Sequence, residues 1–389
     1  MDWDSLSKLF EGFTGIGDDP RLLAMIAIGC ALLYLGIKRN FEPLLLVGIG
    51  TGVILANLPI GEIVHEPVGD EVGGILYYFD QYLLRTEIIP LLIFLGLGAL
   101  TDFTPVLNYP YTLLLGAAAQ LGVFVALTGA VALGFALTEA ASIGIIGGAD
   151  GPTTIYVATK MQELGGKDIL GPVAVAAYSY MALVPVLQPP IIRLLTTRKE
   201  RLVRMEYSPR PVPKLAKILL PIILAIVVGV LVPHAAPLIG MFAFGNLLRE
   251  CLVVERLSNA AQNELMNIVT IILGITVGST MTAEVFLDWD VIKIFALGAF
   301  AFLIATAGGV LLGKLMYWIS RGKVNPIIGA AGVSAVPMAA RVCQKEAQRE
   351  DPDNFILMHA MGPNVAGVIG TAIAAGVLIS LVPEMIAVP

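Results

Sequence analysis

The chain has 389 residues, 57% hydrophobic and only 14% charged, with a formal net charge of −6. A soluble domain carries roughly 25% charge, so an ordinary cytosolic enzyme is excluded. The apolar stretches are continuous and rich in Leu, Ile, Ala and Gly, unlike the alternating segments of about ten residues that build an outer-membrane barrel. What remains is an all-α polytopic membrane protein, each span needing ~20 apolar residues.

Residues 1–20 are acidic and lack the basic start of a cleavable signal. Trp3–Phe13 reads as a short interfacial helix. Apolar runs follow at about 21–37, 41–59, 86–101, 110–137, 141–160 and 169–197. Then comes a basic stretch, 196–217, with seven Lys or Arg against Glu200 and Glu206. Its centre, 198–214, separates two membrane halves, 21–197 and 215–389. The second half has apolar runs at about 215–233, 237–252, 266–283, 291–319, 325–343 and 355–382. The excess of Lys and Arg in cytoplasmic loops places the linker, Lys38-Arg39 and Arg321–Lys323 inside. Segments 60–84 and 284–290 carry Asp and Glu but no Lys or Arg and read as outside.

Tracing these sides along the chain puts both termini outside. It also requires 141–160 to leave and return on the outer side, and 325–343 to do the same from the cytoplasm. Each is a re-entrant broken hairpin, tolerated at membrane depth only where it is buried or lines a wet cavity. The halves resemble each other. IIGGADGPTTIYVATK (145–160) aligns with IIGAAGVSAVPMAARVCQK (327–345), and FLGLGALTDFT (94–104) with ILGITVGSTMT (272–282). Asp150 falls opposite Ser334 and Tyr180 opposite Asn364, both at an offset of 184. With about five spanning helices and one hairpin per half, the two repeats have inverted topology, an arrangement that builds ion sites where broken helices meet near the midplane.

The polar residues inside these runs are the candidate site. Asp150 has no charged neighbour from Ala140 to Thr159 and sits in Gly-Gly-Ala-Asp-Gly-Pro, which cannot continue a helix. A carboxylate at the bilayer centre costs ~2.5–3.5 kcal/mol on insertion scales. It is either an oxygen ligand for Na+, a hard cation, or the cap of the next helix. Tyr178 and Tyr180 are either interfacial anchors or polar groups of the site, and the offset to Asn364 favours Tyr180. In the second hairpin, Asn325 and Ser334 offer neutral oxygens and Gly329 allows close backbone approach. Arg341 either snorkels to the cytoplasmic surface or holds an anion there. Three cysteines and three histidines are scattered, in neither a disulfide nor a metal spacing.

GGADGPTTIY, AYSYMALVPVLQPP, NPIIGAAGVSAVPMAARV and HAMGPNVAGVIG together resemble the β subunit of biotin-dependent, sodium-translocating decarboxylases, the family acting on oxaloacetate, methylmalonyl-CoA and glutaconyl-CoA. The likeness covers nearly the whole chain after about residue 20. It implies that Asp150, Tyr180, Asn325, Gly329, Ser334, Arg341 and Asn364 carry Na+ transport and the coupled decarboxylation of carboxybiotin. Asp150, Ser334 and Asn364 would lie at the two ions, Asp150 and Tyr180 would handle the proton, and Arg341 would hold the carboxylate on biotin. The resemblance further implies a biotinylated carrier and carboxyltransferase α subunit, a small single-span γ (δ) subunit, a homo-oligomer of β, and a bacterial or archaeal plasma membrane. No GxxxxGK[ST] motif occurs, so ATP is not the expected driver, and no Lys-Met-Lys tripeptide marks a biotinylation site, so the biotin belongs to a partner. Spacing alone leaves open a secondary Na+/H+ or Na+/anion transporter built from the same inverted repeats.

Overall fold

The computed structural model describes residues 19–59, 63–206 and 210–387. The interfacial helix expected over Trp3–Phe13 lies outside them. Among the described residues there is no strand. Seven helices are long and apolar enough to span a membrane: Arg21–Arg39, Thr112–Ala132, Leu170–Leu195, Lys214–Leu231, Glu255–Ser279, Trp289–Ile319 and Leu357–Ile386. There are eight if Ile75–Leu84 and Ile88–Leu100 form one broken span. The chain is therefore a multi-pass membrane protein.

This is fewer than the ten or so crossings the apolar runs suggest. Run 41–59 makes a helix of only 14 residues, Pro43–Ala56, and run 237–252 one of 15, Ala236–Glu250. Both fall short of the ~20 residues a straight crossing needs. The first ends because Asn57 turns its amide back onto the Val53 carbonyl (2.8 Å). In run 110–137, Gln120 falls between Thr112–Ala119 and Leu121–Ala132 without stopping the span.

The chain divides into two compact units. One comprises residues 1–89 and 266–293, the other 90–265 and 294–389; each draws on both sequence halves. In the first unit, Gly48 and Gly52 of Pro43–Ala56 face Gly274 and Gly278 of Met266–Ser279. A methyl group at Gly52 would overlap the Ile275 carbonyl, and one at Gly278 the Ile49 carbonyl. Lipid supplies no hydrophobic drive between spans, so small residues at a four-residue spacing, which allow close backbone approach, hold such pairs together. Asn57 adds a staple: its amide donates to the Met281 carbonyl (2.7 Å) and its Oδ1 accepts from the Ala283 N–H (3.0 Å).

The second unit contains both segments expected as hairpins, 141–160 and 325–343. In the first, Leu137–Gly144 tightens into a 3-10 turn, Ile145–Gly148, and stops. Ala149 takes a left-handed φ of 55°, Asp150 is extended, and Gly151–Glu163 starts afresh with Pro152 in its first turn. Proline belongs there because the first helical N–H groups have no intrahelical partner. In the second, Asn325 caps a 3-10 turn over Pro326–Gly332, the backbone extends from Val333, and Met338–Glu350 follows. This turn is threaded between helices at glycines. Gly329 and Gly309 of Trp289–Ile319 abut so closely that a methyl group on either would overlap the other's carbonyl. Gly332 meets the Leu115 carbonyl in the same way.

Candidate ion site at the crossing of the two hairpins

The two breaks touch. The Ser334 N–H, in the second hairpin, donates to the Gly148 carbonyl of the first at 3.0 Å. Gly148 ends its 3-10 turn and Ser334 follows the extended Val333, so neither sequence continues a helix there and the two backbone groups satisfy each other instead of a helical neighbour.

Asp150 is buried, 3% exposed. Its two carboxylate oxygens have different fates. Oδ1 accepts from the Thr153 N–H at 3.1 Å, the ordinary N-cap bond. Oδ2 is buried with no hydrogen-bond partner, and no Lys or Arg pairs with Asp150 among the described residues. The residue is thus a cap and also an unspent anionic oxygen. Helix Gly151–Glu163 directs its positive end at this carboxylate, worth 0.3–1 kcal/mol in typical cases, too little to offset a desolvated charge. The site needs a proton or a cation to complete it.

Tyr178 lies over this position. Its ring presses on Gly151, where an added methyl group would overlap it. Its hydroxyl is buried without a hydrogen-bond partner. Tyr180 faces elsewhere, since residues two apart on a helix do not share a face. Its hydroxyl donates to the Phe295 carbonyl, and its ring meets Phe295 edge-on at 6.2 Å between centroids. The tyrosine seated beside Asp150 is therefore Tyr178. Helical phase, not the repeat offset, was the signal that separates the two.

On the other side of the crossing, Asn364 is fully buried and holds the second break open. Its Nδ2 donates toward the Ala331, Val333 and Ala335 carbonyls at 3.1, 2.8 and 3.4 Å. Its Oδ1 is buried without a partner. Asn364, from helix Leu357–Ala387, thus bonds the backbone on both sides of Ser334. Ser334 Oγ sits 2.5 Å from Thr371 Oγ1, and Thr371 in turn lies 3.2 Å from Gln120 Oε1. Neither Thr371 nor Gln120 stands out in sequence, because Thr and Gln are unremarkable in spans until their neighbours are known.

Asn325 and Gly329 are occupied by structural tasks. Asn325 Oδ1 accepts from the Ile327 N–H (3.0 Å), and its Nδ2 donates to the Arg201 and Val203 carbonyls (3.1 and 2.9 Å). It stitches the start of the second hairpin to the basic linker. Gly329 is the contact with Gly309 described above.

Arg341 lies on the exposed face of Met338–Glu350 with Lys345 and Arg349, one turn apart each. The opposite edge is acidic and tied to the linker region. Arg193 grips Glu346 with two bonds of 2.6 Å, Arg201 reaches Glu350 (2.7 Å), and Arg204 reaches Asp351 (2.6 Å). Hydrogen bonding to Arg201 holds Glu350 below the usual carboxylate range, and Arg204 does the same for Asp351. These pairs put the basic linker and the C-terminal arm of the second hairpin at the same end of the unit.

The family described as the Na+-transporting oxaloacetate decarboxylase beta subunit matches this chain over residues 21–382. The methylmalonyl-CoA decarboxylase subunit beta of Propionigenium modestum is 52% identical over 389 residues, covering 95% of this chain and 96% of that protein. The glutaconyl-CoA decarboxylase subunit beta of Acidaminococcus fermentans is 54% identical over 360 residues, 92% of each chain. The oxaloacetate decarboxylase beta chain of Klebsiella pneumoniae is 46% identical, covering 98% of this chain and all of that one.

Proposed function

Because the chain belongs to the Na+-transporting decarboxylase beta-subunit family, we propose that it is the membrane subunit of a primary sodium pump, coupling decarboxylation of carboxybiotin on a partner to outward Na+ movement. The observation that carries this reading is Asp150: a buried carboxylate with one oxygen unspent, where two broken helices cross. Ionised, it holds Na+ through Oδ2; protonated, it releases the ion. Loss of CO2 from N-carboxybiotin replaces a C–N bond by an N–H bond and consumes one proton, so a site exchanging Na+ for H+ links the two events. Tyr178, seated over Gly151 with its hydroxyl unpartnered, is better placed to relay that proton than Tyr180, whose hydroxyl is bonded to the Phe295 carbonyl. Ser334 and Asn364 form a second, neutral Na+ site. Arg341 has no ion-pair partner among the described residues and is free to take the planar carboxylate of carboxybiotin as a fork.

In this reading the two halves are inverted repeats and their hairpins enter from opposite faces. A biotinylated carrier and carboxyltransferase α subunit delivers the carboxyl group, a small single-span subunit joins in the plasma membrane, and β associates with itself. Single cysteines at positions 160 and 345 are then expected to react with an impermeant maleimide from opposite sides of the membrane. Reaction from one side only would sink the inverted arrangement.

The deciding experiment is Na+ uptake by inverted vesicles of the reconstituted complex on adding oxaloacetate, methylmalonyl-CoA or glutaconyl-CoA, with and without avidin. Uptake driven by one of these acids and abolished by avidin is the expected result. Avidin-insensitive exchange of Na+ for H+ or an anion would instead mark a secondary transporter.

A further inference from the structure

We infer that Thr371 is a Na+ ligand of the Ser334 site and that Gln120 is the residue that positions it. The inference rests on the pump reading above and adds two residues to it.

Thr371 Oγ1 has one proton and three oxygens within reach: Gly367 O at 3.0 Å, Gln120 Oε1 at 3.2 Å and Ser334 Oγ at 2.5 Å. Ser334 brings one more proton. The Gln120 amide is spent on the Gly116 and Gly367 carbonyls, both at 3.3 Å. Gly367 O therefore already has a donor, and Gln120 Oε1 depends on Thr371. When Thr371 donates to Gln120, its lone pairs face Ser334. Ser334 then donates its own proton to Thr371, every group in this chain of contacts has a partner, and the hydroxyl oxygens still keep lone pairs that a cation can take. Thr371 is fully buried and Gln120 nearly so. Neutral oxygens held this way are what a hard cation selects.

The position is also right. Thr371 touches both breaks: an added methyl on Gly148 would meet its side chain at 2.6 Å, and Ser334 is its hydrogen-bond partner. A related pair occurs once more in this unit. Gln188 Nε2 donates to the Ala330 carbonyl of the second hairpin at 2.8 Å and approaches Thr306 Oγ1 at 3.5 Å. Gln120 and Thr306 are 186 residues apart, and Gln188 and Thr371 are 183 apart, close to the offset that relates Asp150 to Ser334. Each pairing has one Gln and one Thr, with the types exchanged between the halves. Only the pair at Thr371 lies against a hydroxyl of the crossing.

The test uses the assembled decarboxylase complex, measuring carboxybiotin decay against Na+ concentration. In parallel, the melting midpoint of the complex is followed in NaCl against choline chloride. Thr371→Val keeps the shape and removes the oxygen. It is expected to raise the half-activating Na+ concentration, and the NaCl needed for thermal stabilisation, about tenfold, the scale of one lost hydrogen-bonding oxygen. Thr371→Ser, which keeps the hydroxyl, is expected to stay within about twofold of wild type on that same scale. Should Thr371→Val fail to assemble, Gln120→Leu decides: it leaves the hydroxyl but removes its acceptor, and a shift of the same sign is expected. An unshifted Na+ curve in Thr371→Val, or an equal shift in Thr371→Ser, overturns the assignment. A wild-type complex indifferent to Na+ overturns the pump reading, and this assignment with it.

Discussion

Asp150→Asn is expected to abolish Na+-activated decarboxylation at every Na+ concentration while leaving the protein folded. The two carboxylate oxygens do separate jobs, and the substitution separates them. Asn and Asp are about equally good N-caps, so the bond from the Thr153 N–H to Oδ1 (3.1 Å) is kept with helix Gly151–Glu163. What disappears is the negative charge on the unpartnered Oδ2. Without it, neither Na+ nor an exchangeable proton has a reason to occupy the site. Ser334→Ala removes one neutral oxygen, worth about 1–3 kcal/mol, and is expected to leave an activity that needs more Na+. Carboxybiotin decay measured against Na+ at two pH values distinguishes these outcomes. A normal Na+ activation curve in Asp150→Asn would falsify the claim that the carboxylate is an ion ligand.

The second large effect is expected at Gly329 and reaches beyond ion binding. Gly329 and Gly309 meet through their backbones, and a methyl group on either overlaps the other's carbonyl. Overpacking a core costs about 1–3 kcal/mol when side chains can give way; here the obstacle is backbone on both sides. Gly329→Ala is expected to lower the melting midpoint of the detergent-extracted complex and to reduce its yield along with its activity. Gly309→Ala, on a helix with no assigned ion ligand, is expected to do the same. If Gly329→Ala instead melts like wild type and only its Na+ dependence changes, the glycine serves the ion directly and the packing explanation fails.

How much of this was legible beforehand depends on the kind of constraint. The break at Gly147–Pro152 could be read directly, because Gly and Pro punctuate locally. Asp150 stood out as a lone charge, and the repeat offset linked Asn364 to the Ser334 segment. The same offset singled out Tyr180, since it carries register along the chain but says nothing of which helix face meets Gly151. Asn325 read as a neutral ligand, yet its amide and carbonyl are both spent on capping and on the linker. Gln120 and Thr371 were invisible because their contact joins residues 251 positions apart, beyond any local pattern. Hydropathy makes spans of the short helices Pro43–Ala56 and Ala236–Glu250 because it counts apolar residues without marking where a side chain such as Asn57 ends the turn.

The ion pairs along Met338–Glu350 have a mechanical consequence. Arg193, Arg201 and Arg204 bolt one edge of this helix to the linker end of the unit, while Arg341, Lys345 and Arg349 stay outward. The helix begins four residues after Ser334. A stiff rod bolted along one edge and bare along the other behaves as a lever with little slack. Load applied to the bare edge is borne by the linker and delivered at the rod's tip, beside the crossing. Loosening the bolts, for example with Glu346→Gln and Glu350→Gln together, would make the same push turn the rod instead of moving the crossing.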